Sequence, residues 1–141
     1  MLARIARAYL EPGTALLRSQ NSYLKVPNYA YGNDADAVAA PDTNFCTDVD
    51  AMLSCLTAET RIVYLANPDN PSGAMLPGTE LRRLHAGLPR DVLLVIDGAY
   101  SEYVTDPAYE NGEALVREHD NVVLTRSFSK IYGLAGARVG W

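Results

Sequence analysis

The apolar positions change period along the chain, and the changes mark out its elements. Between Leu2 and Leu10, residues Leu2, Ile5, Ala6 and Tyr9 or Leu10 share one side while Arg4 and Arg7 take the other. That is the period of an amphipathic helix, and Pro12-Gly13 ends it. Ala15–Leu17 reads as a short strand and Ser19–Ser22 as a turn. Tyr23–Tyr31 fits neither helix nor strand cleanly, because Pro27 interrupts both. Asp36–Ala39 is another short strand. Thr47 as cap, with acids in the first turn, predicts a helix running to about Leu56. Arg61–Ala66 is a buried strand that runs into the turn-rich loop Asn67–Gly73. Thr79–Leu88 is a helix with Leu81, Leu84 and Leu88 inward. Val92–Ile96 is an unbroken apolar strand closing on Asp97. A helix near Gly112–His119 leads to a last strand, Asn121–Thr125.

Strands alternating with helices predict an α/β fold, three layers α/β/α around a mainly parallel sheet. In such sheets ligands bind beyond the carboxyl ends of the strands. Three successive strand ends each deliver polar chemistry there: Asn70 after the strand at 61–66, Asp97 after 92–96, and Ser127–Lys130 after 121–125. Chance places one such residue easily and three poorly.

Composition narrows the class. The chain has 141 residues, nearly half of them apolar, enough for a domain with a real core. A net charge of -5 argues against nucleic acid or an anionic membrane as partner. No apolar run approaches a membrane span, and the first residues lack the apolar core of a signal peptide. Cys46 and Cys55 have no metal-ligand spacing, so reduced thiols in the cytoplasm are the expectation. His85 and His119 fall on predicted helices, where solvated surface is expected. No G-x-x-x-x-G-K-[ST] is present, which excludes a P-loop nucleotide binder.

The closing stretch Ser127–Trp141 is too rich in Gly, Ser and Ala to be a packed helix, and it holds Lys130 and Arg138. If extended, it points Ser127 and Ser129 one way and Lys130 the other. Small residues let a ligand approach the backbone, hydroxyls and an arginine suit a phosphate, and a lysine suits a carbonyl. Pyridoxal phosphate (PLP) needs those groups together.

N-P-D-N-P-S-G at 67–73, D-G-A-Y at 97–100 and S-F-S-K-x-x-G-L-A-G-x-R at 127–138 resemble the ordered motifs of fold-type I PLP-dependent aminotransferases. Within that group the likeness is greatest to the histidinol-phosphate aminotransferases, and it extends over essentially the whole chain. The resemblance implies amino transfer between histidinol phosphate and 2-oxoglutarate in a homodimer. Other class I/II aminotransferases and a phospho-amino-acid decarboxylase are the related alternatives; a noncatalytic PLP-binding module is the alternative of another class.

The same likeness implies roles. Lys130 corresponds to the lysine that captures the cofactor aldehyde and later serves as base, its amine kept from being an ordinary ammonium partly by neighbouring cations. Asp97 corresponds to the carboxylate facing the ring nitrogen. Tyr100 and Asn70 correspond to hydrogen-bond partners of the phenolic oxygen. Arg138, eight residues after Lys130, corresponds to the phosphate-binding arginine, with Ser127 and Ser129 as further donors. For the aromatic that stacks on the ring, an ungapped reading points at Asn21, while Tyr23 is the nearest aromatic. Ser72 replaces the usual Thr, and Gly98 replaces the common Glu with no expected effect on the chemistry. The family's N-terminal glycine-rich phosphate-binding turn and C-terminal small domain have no counterpart in these residues. Residues 1–141 are therefore expected to be a partial PLP-binding large domain, inactive by itself.

Overall fold

The computed structural model describes residues 1–141. In chain order the elements are α1 (Leu2–Tyr9), β1 (Ala15–Ser19), α2 (Val26–Tyr31), β2 (Asp36–Ala40), β3 (Asp42–Thr43), β4 (Cys46–Thr47), α3 (Val49–Ser54), β5 (Thr60–Ala66), α4 (Gly78–Ala86), β6 (Leu93–Asp97), α5 (Glu113–Glu118) and β7 (Val122–Thr125). Five strands form one sheet in the order β2-β1-β5-β6-β7, every neighbouring pair parallel. β3 and β4 make a separate antiparallel hairpin.

Side chains of a strand alternate between faces, and here each face has its own core. Leu17, Val63, Leu65, Leu94 and Ile96 meet α3, α4 and α5 through Val49, Met52, Leu81, Leu84 and Leu115. Leu16, Ile62, Tyr64, Leu93 and Val95 meet α1 and α2 through Ala6, Val26 and Ala30. Both faces are covered, which is why β5 and β6 read as continuous apolar runs.

The structure departs from the sequence expectations at the ends of several elements and resolves one ambiguous stretch. The N-cap of α3 is Asp48, whose Oδ1 accepts the Ala51 amide at 3.0 Å; Thr47 belongs to the hairpin. Asn44 and Phe45 turn that hairpin with φ of 53° and 60°, which holds Thr47 in β4. That helix stops at Ser54. α4 ends at Ala86, so Leu88 is a half-buried loop residue instead of a helix-face one. The ambiguous stretch around Pro27 is α2: the proline lies in the first turn, where its missing N–H costs no hydrogen bond.

Candidate active site

Alternation along β6 sends Ile96 to one core and Asp97 to the opposite face, at the strand's carboxyl end. There Asp97 Oδ2 accepts a hydrogen bond from the Tyr64 hydroxyl at 2.8 Å, and Oδ1 accepts from the Ala99 amide at 3.2 Å and Thr125 Oγ1 at 3.4 Å. Burial pushes the carboxyl above the usual aspartate range; these donors and the charge of Lys130 pull it back without cancelling the effect.

The loop after β5 carries Asn70 to the same rim. It is pinned by Asn67, whose side chain exchanges hydrogen bonds with the backbone of Leu76 at 2.9 and 3.0 Å. It is also pinned by Asp69, which accepts from Ser22 at 2.5 Å and Ser72 at 2.9 Å. Ser72, standing where threonine is more usual, therefore has a structural task that either hydroxyl performs.

After β7 the chain folds into turns, so 127–130 is not an extended segment. Gly133 N donates to the Lys130 carbonyl, and Leu134 N to the Phe128 carbonyl. The returning segment pairs antiparallel with the strand's extension through Arg126, Phe128, Val139 and Trp141. This reversal brings Ser127, Ser129 and Lys130 to one cavity instead of two faces, and adds Arg138, eight residues further on. Ser127 Oγ accepts the Ser129 amide at 2.9 Å, and Arg138 donates to the Ala135 carbonyl at 2.8 Å while remaining exposed.

The cavity is about 330 Å³. Asn70, Asp97, Tyr100, Ser127, Ser129, Lys130, Arg138 and Tyr23 all line it. Asn21 does not; its amide is tied to Asp42 Oδ2 at 2.9 Å. Lys130 Nζ stands 4.8 Å from the centre of the Tyr100 ring. Tyr100, as partner of the ammonium, holds the lysine above its ordinary pKa against the opposing effect of burial. The expectation that neighbouring cations lower it fails, because Arg126, the nearby cation in sequence, is turned into an ion pair with Glu102 at 2.6 Å. Cofactor-free, Lys130 is an ammonium at neutral pH.

Among the aromatic residues that line the cavity, sequence reasoning missed Tyr29 and Tyr64. A signal for Tyr64 existed: a hydroxyl inside an otherwise apolar strand must find a partner. Gly98 also has a reason to be glycine. A Cβ there would lie 2.6 Å from Ser101 Oγ and 3.0 Å from Arg126 Cδ, so a larger residue would displace the ion pair.

The donor set suits one kind of ligand. It offers on one cavity wall a primary amine, a half-buried carboxylate, an amide, a phenol, two hydroxyls and a guanidinium. Those are the partners required by an aldehyde, a basic ring nitrogen, a phenolic oxygen and a phosphate, the four polar parts of PLP.

Comparison with known proteins points the same way. A histidinol-phosphate aminotransferase of Rhodospirillum centenum is 54% identical over 141 residues, all of this chain and 39% of that protein. One from Granulibacter bethesdensis is 48% identical over the same span, 38% of its length. The crystal structure of histidinol-phosphate aminotransferase from Sinorhizobium meliloti in complex with pyridoxal-5'-phosphate superimposes with a TM-score of 0.91 at 36% identity, covering 99% of this chain and 38% of that one. The chain thus spans about two fifths of the relatives it matches. Over residues 1–141 the sequence matches aminotransferase class I and II, and the chain belongs to that family.

Proposed function

We propose that these residues bind PLP and take part in amino transfer between histidinol phosphate and 2-oxoglutarate, within a homodimer. The observation that carries the reading is the Asp97 carboxylate, half-buried and triply hydrogen-bonded, facing the same cavity as the Lys130 amine. Supporting it are the 54% identity to a histidinol-phosphate aminotransferase and the exposed Tyr31, Phe45, Tyr132 and Trp141, apolar area that a second subunit could cover.

Bound here, the cofactor supplies an aldehyde for capturing an amine and a cationic ring that accepts electron density from the substrate Cα. The protein's residues do the rest. Lys130 Nζ would be the amine that holds the cofactor's aldehyde carbon and, when free, the base for the substrate's Cα proton. Asp97 would favour the protonated form of the ring nitrogen. Asn70 and Tyr100 would donate hydrogen bonds to the phenolic oxygen, and Tyr23, on the same cavity wall, would offer its ring for packing. Arg138, with Ser127 and Ser129, holds the phosphate by charge-assisted hydrogen bonds.

Protein expressed from the whole reading frame, loaded with PLP and reduced with borohydride, should carry a phosphopyridoxyl group on Lys130 by peptide mapping. An adduct on Lys25, or none, sinks the assignment. Because the free ammonium's pKa is raised, the rate of cofactor attachment should climb with pH throughout the neutral range, about tenfold per unit if only the free amine reacts. Glutamate formation from histidinol phosphate and 2-oxoglutarate tests the substrates.

A further inference from the structure

Tyr64 is 2% exposed, and its ring belongs to the core beneath α1 and α2. Its hydroxyl has no role in that packing. The register pairs Tyr64 with Val95, two residues before Asp97 on the neighbouring strand, so Tyr64 and Asp97 share a face and lie diagonally. From there the phenol reaches Asp97 Oδ2 at 2.8 Å.

We infer that Tyr64 is a positioning residue for Asp97, fixing the plane of its carboxylate and keeping it ionised opposite the ring nitrogen of the bound cofactor. The inference rests on the PLP-binding reading and goes one residue deeper. Three donors from three parts of the chain reach Asp97: Tyr64 from β5, Ala99 from the loop after β6, and Thr125 from β7. Tyr64 alone serves Oδ2, so its bond fixes the rotation of the carboxylate that the two donors on Oδ1 leave free. A hydrogen bond donated to a carboxylate favours the ionised form. Burial and the charge of Asp97 hold the Tyr64 phenol far above its ordinary pKa, so it stays a donor throughout the working range. The other ionisable groups nearby are Lys130, whose charge favours the carboxylate, and Asp69, Tyr23 and Tyr29, which sit close enough to Tyr64 or Asp97 to influence titration. Phenylalanine at 64 would fill the same volume and lose only the bond.

The test uses Tyr64→Phe in protein expressed from the whole reading frame, with two readouts independent of turnover. In cofactor-free protein, the ¹³Cγ titration of Asp97 should move up by about one pH unit, the tenfold change expected for one hydrogen bond to a charged group. With ¹⁵N-labelled PLP bound, the ring-nitrogen resonance should shift toward its unprotonated value, as it should more fully in Asp97→Asn. An unmoved Asp97 titration overturns the role of Tyr64. So does an unmoved ring resonance in Tyr64→Phe when Asp97→Asn moves it. If Asp97→Asn also leaves the resonance unmoved, the PLP reading itself falls and takes this inference with it. Should Tyr64→Phe fail to fold, 3-fluorotyrosine installed at position 64 alone keeps the packing and donates more strongly; it should lower the Asp97 midpoint, and no change there overturns the inference.

Discussion

Two concavities open at opposite ends of the same parallel sheet, and the larger one is not the site. The cleft at the amino ends of β6 and β7, about 840 Å³, lies between Arg82, His85 and His119. The cavity at the carboxyl ends is about 330 Å³. At the amino rim Arg82, His85, Glu118 and Asn121 are bonded to protein partners. Arg82 grips Glu110 through two hydrogen bonds and reaches Glu118 at 3.1 Å; His85 meets Asn121 at 3.0 Å and stacks on His119, ring centres 4.1 Å apart. At the carboxyl rim the groups converge on open space, and one of them, Asp97, is held as a carboxylate where burial opposes it. The contrast teaches that a site is marked by polar groups aimed at a shared volume at some cost to the fold, not by the size of the volume.

Substitutions at the two rims should separate that difference, beginning with the largest effect. Lys130→Ala should abolish the borohydride-trapped adduct and reduce turnover by about 10⁴-fold or more, since one amine serves as both nucleophile and base. Retained turnover would remove the main distinction between the rims.

Asp97→Asn comes next. Turnover should fall about a thousandfold, roughly 4 kcal/mol of transition-state stabilisation. Stability should move the other way. A raised folded-state pKa means that the native protein binds the proton more tightly than the unfolded chain. Asp97 therefore weakens the fold above its folded-state pKa, and that penalty disappears as pH falls through it to the unfolded value. Denaturant titrations of cofactor-free protein should show Asp97→Asn at least as stable as wild type at pH 7, with the advantage lost in acid. An equal loss of stability at both pH values would make Asp97 a structural residue like those of the amino rim.

Gly98→Ala should cost about 1–2 kcal/mol by thermal or chemical denaturation, because the added methyl must push aside Ser101 and Arg126. Ser101 cannot rotate away freely, as its hydroxyl lies 2.8 Å from Tyr109 Oη, which also donates to the Asn67 carbonyl. The smallest effect belongs to the amino rim. His119→Ala, on an exposed residue, should change stability by less than about 0.5 kcal/mol and leave PLP affinity unaltered. Weakened PLP binding in that variant would mean the two rims are coupled through the sheet.

The sequence by itself determined the layers and the chemistry on offer. Continuous apolar runs at Arg61–Ala66 and Val92–Ile96, separated by an amphipathic helix, admit little besides a covered parallel sheet, because an alternating pattern has been replaced by burial on both faces. Asn70, Asp97 and Lys130 could be singled out because each follows a strand at the rim where such sheets bind ligands. Even the glycine at 98 was visible as a departure, though not its reason. Tertiary structure alone decided the rest. Whether Lys130 and the two serines share a face depended on the reversal at 131–137 and its pairing with Arg126 and Phe128, hydrogen bonds between segments that local pattern does not encode. The choice of Asp48 over Thr47 as cap turned on a two-residue hairpin set by positive φ at Asn44 and Phe45. The link from Tyr64 to Asp97 joins residues 33 positions apart, and it exists because the register of β5 against β6 places them diagonally on one face. Strand periodicity is local and survives in one dimension; register and loop reversal are agreements between distant segments, and only the folded chain contains them.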